Sequence, residues 1–452
     1  MRDLGEWFDL AVLGAGAAGL FAAIRAGETG KRVILVEKNR RPGVKILMSG
    51  GTRCNLTNAR GLRNLRVVSG PIDPIYDPRE ALGARSIMAA FGENGKFLAP
   101  SLRSLSVEST VAFFEGEGVP TKVEGNGKVF PVSDKATDVL DAIVRRLGRS
   151  GAVLVTNRAV TGVEPIDGGF AVMATGGTVQ ARKVVVAVGG QSFPGCGTTG
   201  DGYAIARRFG HAIVEPRPAL VPLSLDADWV PGLRGLTIPD LVASIRNKAG
   251  KVLLQRREAM LFAHFGLTGP AILDVSRAVA RHDGVDRLDL VLDFLPDATS
   301  ESIEEALRDA ARAGKRAVAG LLPDVIPRRL AEILLRSASI PLDRTGPELS
   351  KEERRRLVHA LKSLSIPVTG TIGFAKAEVT SGGVSLAEVD PETLESRLHP
   401  GLHFAGEVLD LDGLIGGYNF QAAWSMGWLV GGLPKPDPLS AGSVCEINKN
   451  RS

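Results

Sequence analysis

The 452-residue chain is poor in cysteine: Cys54, Cys196 and Cys445 form no C-x-x-C pair and no metal-ligand spacing. A disulfide framework and a zinc site are therefore not expected, no metal is assigned, and a reducing compartment fits best. Long uninterrupted apolar runs are also missing. The nearest approach, Phe8 to Ile24, is broken by Gly14, Gly16 and Gly19, and no small-residue cleavage site follows a basic start. Neither a signal peptide nor a membrane span is expected, which points to the cytoplasm. Without secretion, the sequon-like Asn55-Leu56-Thr57 carries no meaning. Acids are absent from one short segment in which Arg246, Lys248, Lys251, Arg256 and Arg257 fall together, within a chain of net charge +5. Such a face is either simply solvated or tracks phosphates.

What is abundant is glycine, with 54 residues clustered in short loops beside apolar runs. That distribution fits a backbone approached closely by a ligand, and the length predicts two or three domains. Asp9 to Leu13 reads as a buried strand, Ala17 to Ala26 as a helix and Arg32 to Glu37 as a second strand, a βαβ unit that starts a parallel sheet. A helix around Ala136 to Leu147 follows, then strands at Ala152 to Thr156, Phe170 to Ala174 and Lys183 to Val188. Pro216, Pro218 and Pro222 mark a linker. Beyond it the pattern alternates like antiparallel strands to about 295, then breaks into short helices from 301 to 361. Apolar segments return at Val379 to Val384 and Leu402 to Ala405, with a helix from Phe420 to Val430. The expected organisation is a nucleotide domain from 1–216 and 368–432, a β-rich insertion at 217–298, a helical subdomain at 299–367 and a flexible tail at 433–452.

Gly14-Ala15-Gly16-Ala17-Ala18-Gly19 lies directly after a strand and opens a helix, with Glu37 ending the next strand. Gly14 allows the tight turn, Gly16 lets the backbone approach a pyrophosphate, and Gly19 lets helix and strand pack closely. Glu37 would accept hydrogen bonds from the adenosine ribose, and Lys38 follows it. NAD could occupy such a unit; FAD is favoured by the far end of the chain. There Phe404-Ala405-Gly406-Glu407 ends an apolar strand and Gly416-Gly417-Tyr418-Asn419 precedes a helix. In flavoproteins with two dinucleotide-binding motifs, such an acid holds the ribityl chain, and the helix N-terminus faces the flavin N1–O2 edge. A second glycine motif, Gly195 to Gly200, is separated from its strand by Gln191-Ser192-Phe193-Pro194 and reads better as a loop over the flavin, with Gly189 and Gly190 near the cofactor, than as a separate NAD site.

Several longer motifs make a family resemblance visible: Gly43 to Asn55, Gly127-Lys128-Val129-Phe130-Pro131, His264 to Pro270, Val379 to Val384 and Gly406 to Asp410. Over Asp9 to Gly432 the chain resembles the BaiN/YhiN-like family of NAD(P)/FAD-dependent flavoproteins, the aminoacetone oxidase-like group that includes a ribosomal RNA dihydrouridine synthase. It departs from the family pattern at Thr52, Lys128 and Ala263. The resemblance implies a Rossmann-type FAD-binding α/β domain of the two-dinucleotide-binding flavoprotein class, made from the two chain ends, with an inserted β-rich domain and a small helical subdomain. In the loop Lys45 to Asn58, Lys45 and Arg53 can neutralise phosphate or reduced-flavin charge, Ser49 and Asn55 offer hydrogen bonds, and Gly50 and Gly51 permit close contact with a planar ring. Cys54 is either a reactive thiol in a cationic, partly exposed loop or a small buried hydrophobe. His264 is either an acid for the same proton or a hydrogen-bonded structural residue.

The expected function is an oxidoreductase in which NADH or NADPH, bound transiently, reduces FAD, which passes hydride to an activated carbon–carbon double bond. The resemblance implies steroid-like enones or uridine in large-subunit ribosomal RNA as substrates. An amine oxidase and a non-enzymatic flavin redox sensor are the alternatives. DNA and membranes are not expected partners.

Overall fold

Every residue of β1 (Phe8–Leu13) except Asp9 is buried, as a strand covered on both faces requires. The computed structural model describes residues 7–434 apart from 283, 285, 313 and 314. Most of the tail expected at 433–452, with Cys445, lies outside the described residues. After β1 the chain forms α1 (Ala17–Glu28), β2 (Val33–Val36), α2 (Val44–Met48) and the short β3 (Thr57–Asn58). Helices α3 (Ala84–Ala89), α4 (Ala99–Ser104) and α5 (Val107–Gly116) precede β4 (Thr121–Val123) and β5 (Lys128–Pro131), which make a small antiparallel sheet with β3. Then come α6 (Ala136–Ser150), β6 (Val153–Val155), β7 (Val160–Ile166), β8 (Gly169–Ala174), β9 (Gly177–Val186), α7 (Asp201–Arg208) and β10 (Ile213–Ala219).

The second stretch contains β11 (Leu223–Leu225), β12 (Thr237–Arg246), β13 (Val252–Ala263), β14 (Gly266–Thr268), α8 (Pro270–Ala280) and β15 (Asp289–Asp293). It continues through α9 (Ser300–Arg312), α10 (Arg328–Ser337), α11 (Lys351–Ser363) and β16 (Leu364–Thr371). The chain returns with β17 (Val379–Val384), β18 (Leu402–Phe404) and α12 (Tyr418–Gly432). No helix among the described residues is long and apolar enough to cross a membrane.

The chain divides into two compact units, one running to Pro216 and resuming at Val379, the other Arg217–Glu378. In the first, the sheet order is β6-β2-β1-β9-β8-β7, with β18 added parallel to the last residues of β9. The neighbours β6, β2, β1 and β9 run parallel, and β8 and β7 form an antiparallel edge. Apolar runs in β1, β2 and β9 make this sheet readable from sequence; β7, with Gly162 and Pro165, gave no signal. Helices α1 and α12 pack closely, because Gly427 and Gly431 bring α12 against the α1 backbone: a Cβ on them would lie 2.1 Å from Ala18 O and 2.4 Å from Ala22 O.

Two expectations are corrected. The proline-marked linker is in part a strand, since Ile213–Ala219 pairs with Val379–Val384 in a two-stranded ladder. Prolines are admitted in such an edge, where half of the backbone N–H groups face away from the partner. In the second unit, strands β11-β14-β13-β12-β15-β16 close into a barrel, and β16 comes after the helices. The unit therefore extends to Glu378, beyond the expected end at 367. Its helical part has no separate core: Leu330, Leu334, Leu357 and Leu361 join Ile245, Phe262 and Leu292 in one buried cluster.

Candidate cofactor and active site

The first glycine motif sits where β1 ends and α1 begins. Gly14 has φ +93°, and a Cβ on it would lie 2.7 Å from Ala187 O; one on Gly19 would lie 1.9 Å from Gly14 O. Neither position admits a side chain. Gly16 differs, because a Cβ built on it meets nothing within 4 Å, and α1 has neither a side-chain cap nor an acid in its first turn. Open space thus lies before the positive end of a 12-residue helix whose first N–H groups have no acceptor in the helix, which fits a pyrophosphate. Ala17 and Ala18 form the first turn, and Gly406, with φ +82°, brings the C-terminal motif against it: its Cβ would lie 3.0 Å from that of Ala18.

Glu37 is buried beside this turn. Its Oε2 accepts from the Ala15 N–H at 2.7 Å and its Oε1 from the Asn39 N–H at 2.8 Å. These bonds fix the carboxylate and leave lone pairs for ribose hydroxyls. Lys38 faces another way: Nζ donates to Thr199 Oγ1 at 2.8 Å and to Asp201 Oδ2 at 2.6 Å. Asn39 Nδ2 donates to the Cys196 carbonyl at 3.0 Å. The second glycine motif thus leans on the end of β2 through Lys38 and Asn39, and also on the helix of the Lys45 loop, where Cys196 Sγ donates to Met48 Sδ at 3.1 Å.

At the start of that loop a Cβ on Gly190 would lie 2.4 Å from Thr380 Oγ1 and 3.0 Å from Glu407 Oε1, while Gly189 adopts φ +77°. Thr380 Oγ1 accepts from the N–H groups of Gln191 at 2.9 Å and Ser192 at 3.0 Å. Its part in shaping the site was missed, although it stands inside the Val379 to Val384 motif. Glu407 Oε2 accepts from Lys45 Nζ at 2.7 Å, and Oε1 from the Thr380 N–H at 3.1 Å. The C-terminal acid and the Lys45 loop are thereby brought together.

Arg53 is engaged by acids of the chain itself. Its Nη1 lies 2.5 Å from Glu124 Oε1 and 3.5 Å from Asp134 Oδ1, and its guanidinium stacks 3.9 Å over Phe130. Two acids take up its charge. Ser49 Oγ donates to the Ile46 carbonyl at 2.9 Å, and Gly50 and Gly51 are left-handed at φ +56° and +67°. Cys54 does not lie in a partly exposed loop: it is 0% exposed, and burial pushes its thiol up to about 12 against a lowering hydrogen bond with Ser49. At neutral pH it is a protonated, apolar-packed side chain.

Asn55 lies at the α12 N-terminus. With its carboxamide turned to suit its neighbours, the oxygen accepts from the Gly417 N–H at 2.9 Å and the nitrogen donates to Thr57 O at 2.9 Å. Gly417 is left-handed, with φ +92°. Tyr418 is buried and hydrogen-bonds Arg60. Asn419 turns back on its own loop, accepting from the Gly413 N–H at 2.8 Å and donating to the Gly413 carbonyl at 3.1 Å. In the second unit, His264 is exposed in the turn between β13 and β14, edge-on to Phe265 at 4.8 Å.

An open cradle at α1, an acid closing β2 and a strand–Gly–acid element returning from the C-terminal part of the chain define a Rossmann-like FAD-binding domain. Residues 8–69 and 80–433 match the HI0933-like protein Rossmann domain, and the chain belongs to that family of FAD-dependent oxidoreductases. It is 33% identical over 428 residues to the ribosomal RNA dihydrouridine synthase of Escherichia coli (strain K12), covering 94% of this chain and 97% of that protein. It is 31% identical over 427 residues to the 3-dehydro-bile acid delta(4,6)-reductase of Clostridium scindens, covering 93% and 98%. Among solved structures, 3-ketosteroid-delta4-(5alpha)-dehydrogenase from Rhodococcus jostii RHA1 is similar in fold, with a TM-score of 0.51 and 17% identity over 95% of this chain and 98% of that one.

Proposed function

We propose that the protein is a cytoplasmic FAD enzyme that reduces uridine in large-subunit ribosomal RNA to dihydrouridine, with NADH or NADPH as a transient electron donor. The observation that carries this reading is the likeness, along nearly the whole chain, to a ribosomal RNA dihydrouridine synthase. The chemistry that FAD supplies when bound is hydride transfer to one carbon of the activated double bond, a proton going to the other. The chain's own groups do the rest. The α1 N-terminus and Gly16 take the pyrophosphate, Glu37 the adenosine ribose, and Glu407, held by Lys45 and Thr380, the ribityl chain. Gly50, Gly51 and the α12 N-terminus border the ring. A buried thiol pushed up to about 12 is a poor proton donor at neutral pH, which leaves His264 as the residue to test for that role.

The second reading is an enone reductase acting on a small steroid-like molecule, and it rests on the comparable identity to the bile acid reductase. One experiment separates the two. Deleting the gene in its host and measuring nucleosides of the large-subunit ribosomal RNA is expected to reveal one dihydrouridine lost and restored by the intact gene. Unchanged dihydrouridine, with purified protein turning over a 3-keto-4-ene steroid, would leave the small-molecule reading.

A further inference from the structure

We infer that Arg60 anchors the substrate, binding the carbonyl oxygen conjugated to the double bond that is reduced. The inference rests on the reading above, and its chemistry is common to a uracil ring and an enone.

Arg60 is built into the start of α12. Asn58, buried at the end of β3, accepts from the Arg60 N–H through Oδ1 at 3.0 Å and donates through Nδ2 to the Gly416 carbonyl at 3.0 Å. One side chain thus fastens both the turn that carries Arg60 and the loop that leads into α12. The loop cannot slide, since a Cβ on Gly417 would lie 2.4 Å from Thr57 O. On this base the Arg60 guanidinium is held by Glu80, whose Oε2 accepts from Nε at 2.7 Å, and by the Tyr418 phenol. A guanidinium carries five donors in a planar fork, so these two partners fix its plane and leave N–H groups for a ligand.

Exposure indicates which member of the cluster meets the ligand. The Arg60 side chain is 39% exposed, whereas Tyr418 is only 5% exposed behind it. The cation is therefore reachable and pre-oriented, the condition under which a donor stabilises charge developing on a carbonyl oxygen. Of the cations proposed for that task from sequence, Lys45 holds Glu407 and Arg53 is shared between two acids, Glu124 and Asp134, whereas Arg60 meets the single carboxylate of Glu80.

A second observation concerns Tyr76. It is 4% exposed, interacts electrostatically with Arg60, Glu80 and Tyr418, and its hydroxyl has no hydrogen-bond partner in the chain. A buried hydroxyl left unmatched is unfavourable, so it is the natural group to meet a second polar atom of a bound ring. Its place beside the anchor makes Tyr76 the specificity-determining neighbour.

The test uses FAD-loaded Arg60→Gln, Arg60→Lys and Tyr76→Phe proteins. Bound FAD and its absorbance spectrum are measured first, then binding of a uridine-containing RNA oligonucleotide and of a 3-keto-4-ene steroid by perturbation of that spectrum. Arg60→Gln is expected to keep its FAD, to bind the ligand that wild type prefers at least about tenfold more weakly, and to recover in part with added guanidinium. Arg60→Lys should fall between, and Tyr76→Phe should change the preference between the two ligands. Wild type that binds a carbonyl ligand while FAD-loaded Arg60→Gln matches it overturns the anchor and leaves the functional reading intact. Wild type that binds and reduces neither ligand removes that reading, and the anchor with it.

Discussion

Gly16 and Gly19 stand three residues apart and answer to different demands. A side chain at Gly19 would collide with Gly14 O, while at Gly16 it would enter open space. Gly16→Val is therefore expected to fold with a melting temperature within a few degrees of the wild-type apoprotein, yet to purify without yellow colour. Gly19→Val should instead lower stability by about 3 kcal/mol or more, beyond ordinary overpacking. Flavin absorbance and thermal melts check both, and full FAD loading of Gly16→Val would place the pyrophosphate elsewhere. Cys54→Ala is expected to keep FAD and turnover within about twofold, with a loss of about 1 kcal/mol for a small buried group. Because burial raises its thiol from 9.0 to about 12, the unfolded chain ionises first. Its contribution is complete below pH 9 and is lost as pH rises toward 12. His403 works in the opposite direction: burial depresses it from 6.5, with Glu395 partly opposing. The folded state resists the proton that the unfolded chain accepts, so stability is complete above pH 6.5 and falls as pH drops below it. His403→Gln should flatten the acid limb of a urea-midpoint-against-pH curve; an unchanged limb would assign it to other groups.

At the scale of elements, what was legible followed how local the cause is. The turn at Gly14 to Gly19 and the acid ending β2 are dictated by neighbours in sequence, so the βαβ unit could be read directly. The partners of Arg53 lie 71 and 81 residues away, and those of Lys38 more than 160 away, so no local pattern announces them. Prolines in β10 looked like a linker because local preference speaks against strands, and only pairing with the distant β17 overrides it. The loop after Gly190, tied to Lys38 over a similar distance in sequence, is expected to act as a clasp on the cofactor. Lys38→Ala or Asp201→Ala removes one partly exposed ion pair, worth about 0.2–1 kcal/mol. FAD release from either variant, followed by the rise in free flavin fluorescence, is expected to be about 1.5- to 5-fold faster. Rates equal to wild type would mean that the loop does not hold the cofactor.

On the scale of the whole molecule, the second unit changes the meaning of the basic segment read from sequence. That segment is the β12–β13 hairpin, whose pairing runs from Thr237↔Leu261 to Arg246↔Val252. Arg257 is held by Asp240 and Asp297 at 2.7 and 2.6 Å, and Arg256 faces Asp274 at 3.3 Å. These partners were invisible in an acid-free stretch because they come from the facing strand β12, the loop after β15 and helix α8. Lys248 and Lys251 remain exposed in the turn and form no ion pair among the described residues. If RNA is the substrate, phosphate contacts from this unit should therefore come from the hairpin tip and not from Arg256 and Arg257. Each phosphate contact to single-stranded RNA contributes about 0.7 to the slope of log affinity against log salt. Lys248→Gln/Lys251→Gln is expected to reduce that slope by up to about 1.4, weakening binding to all sequences alike, since phosphates carry no sequence information. Arg257→Gln should leave the slope unchanged. Binding titrations of a ribosomal RNA fragment over a range of potassium chloride concentrations measure both. A slope that responds to Arg257 and ignores the two lysines would move the RNA-binding face away from the hairpin tip.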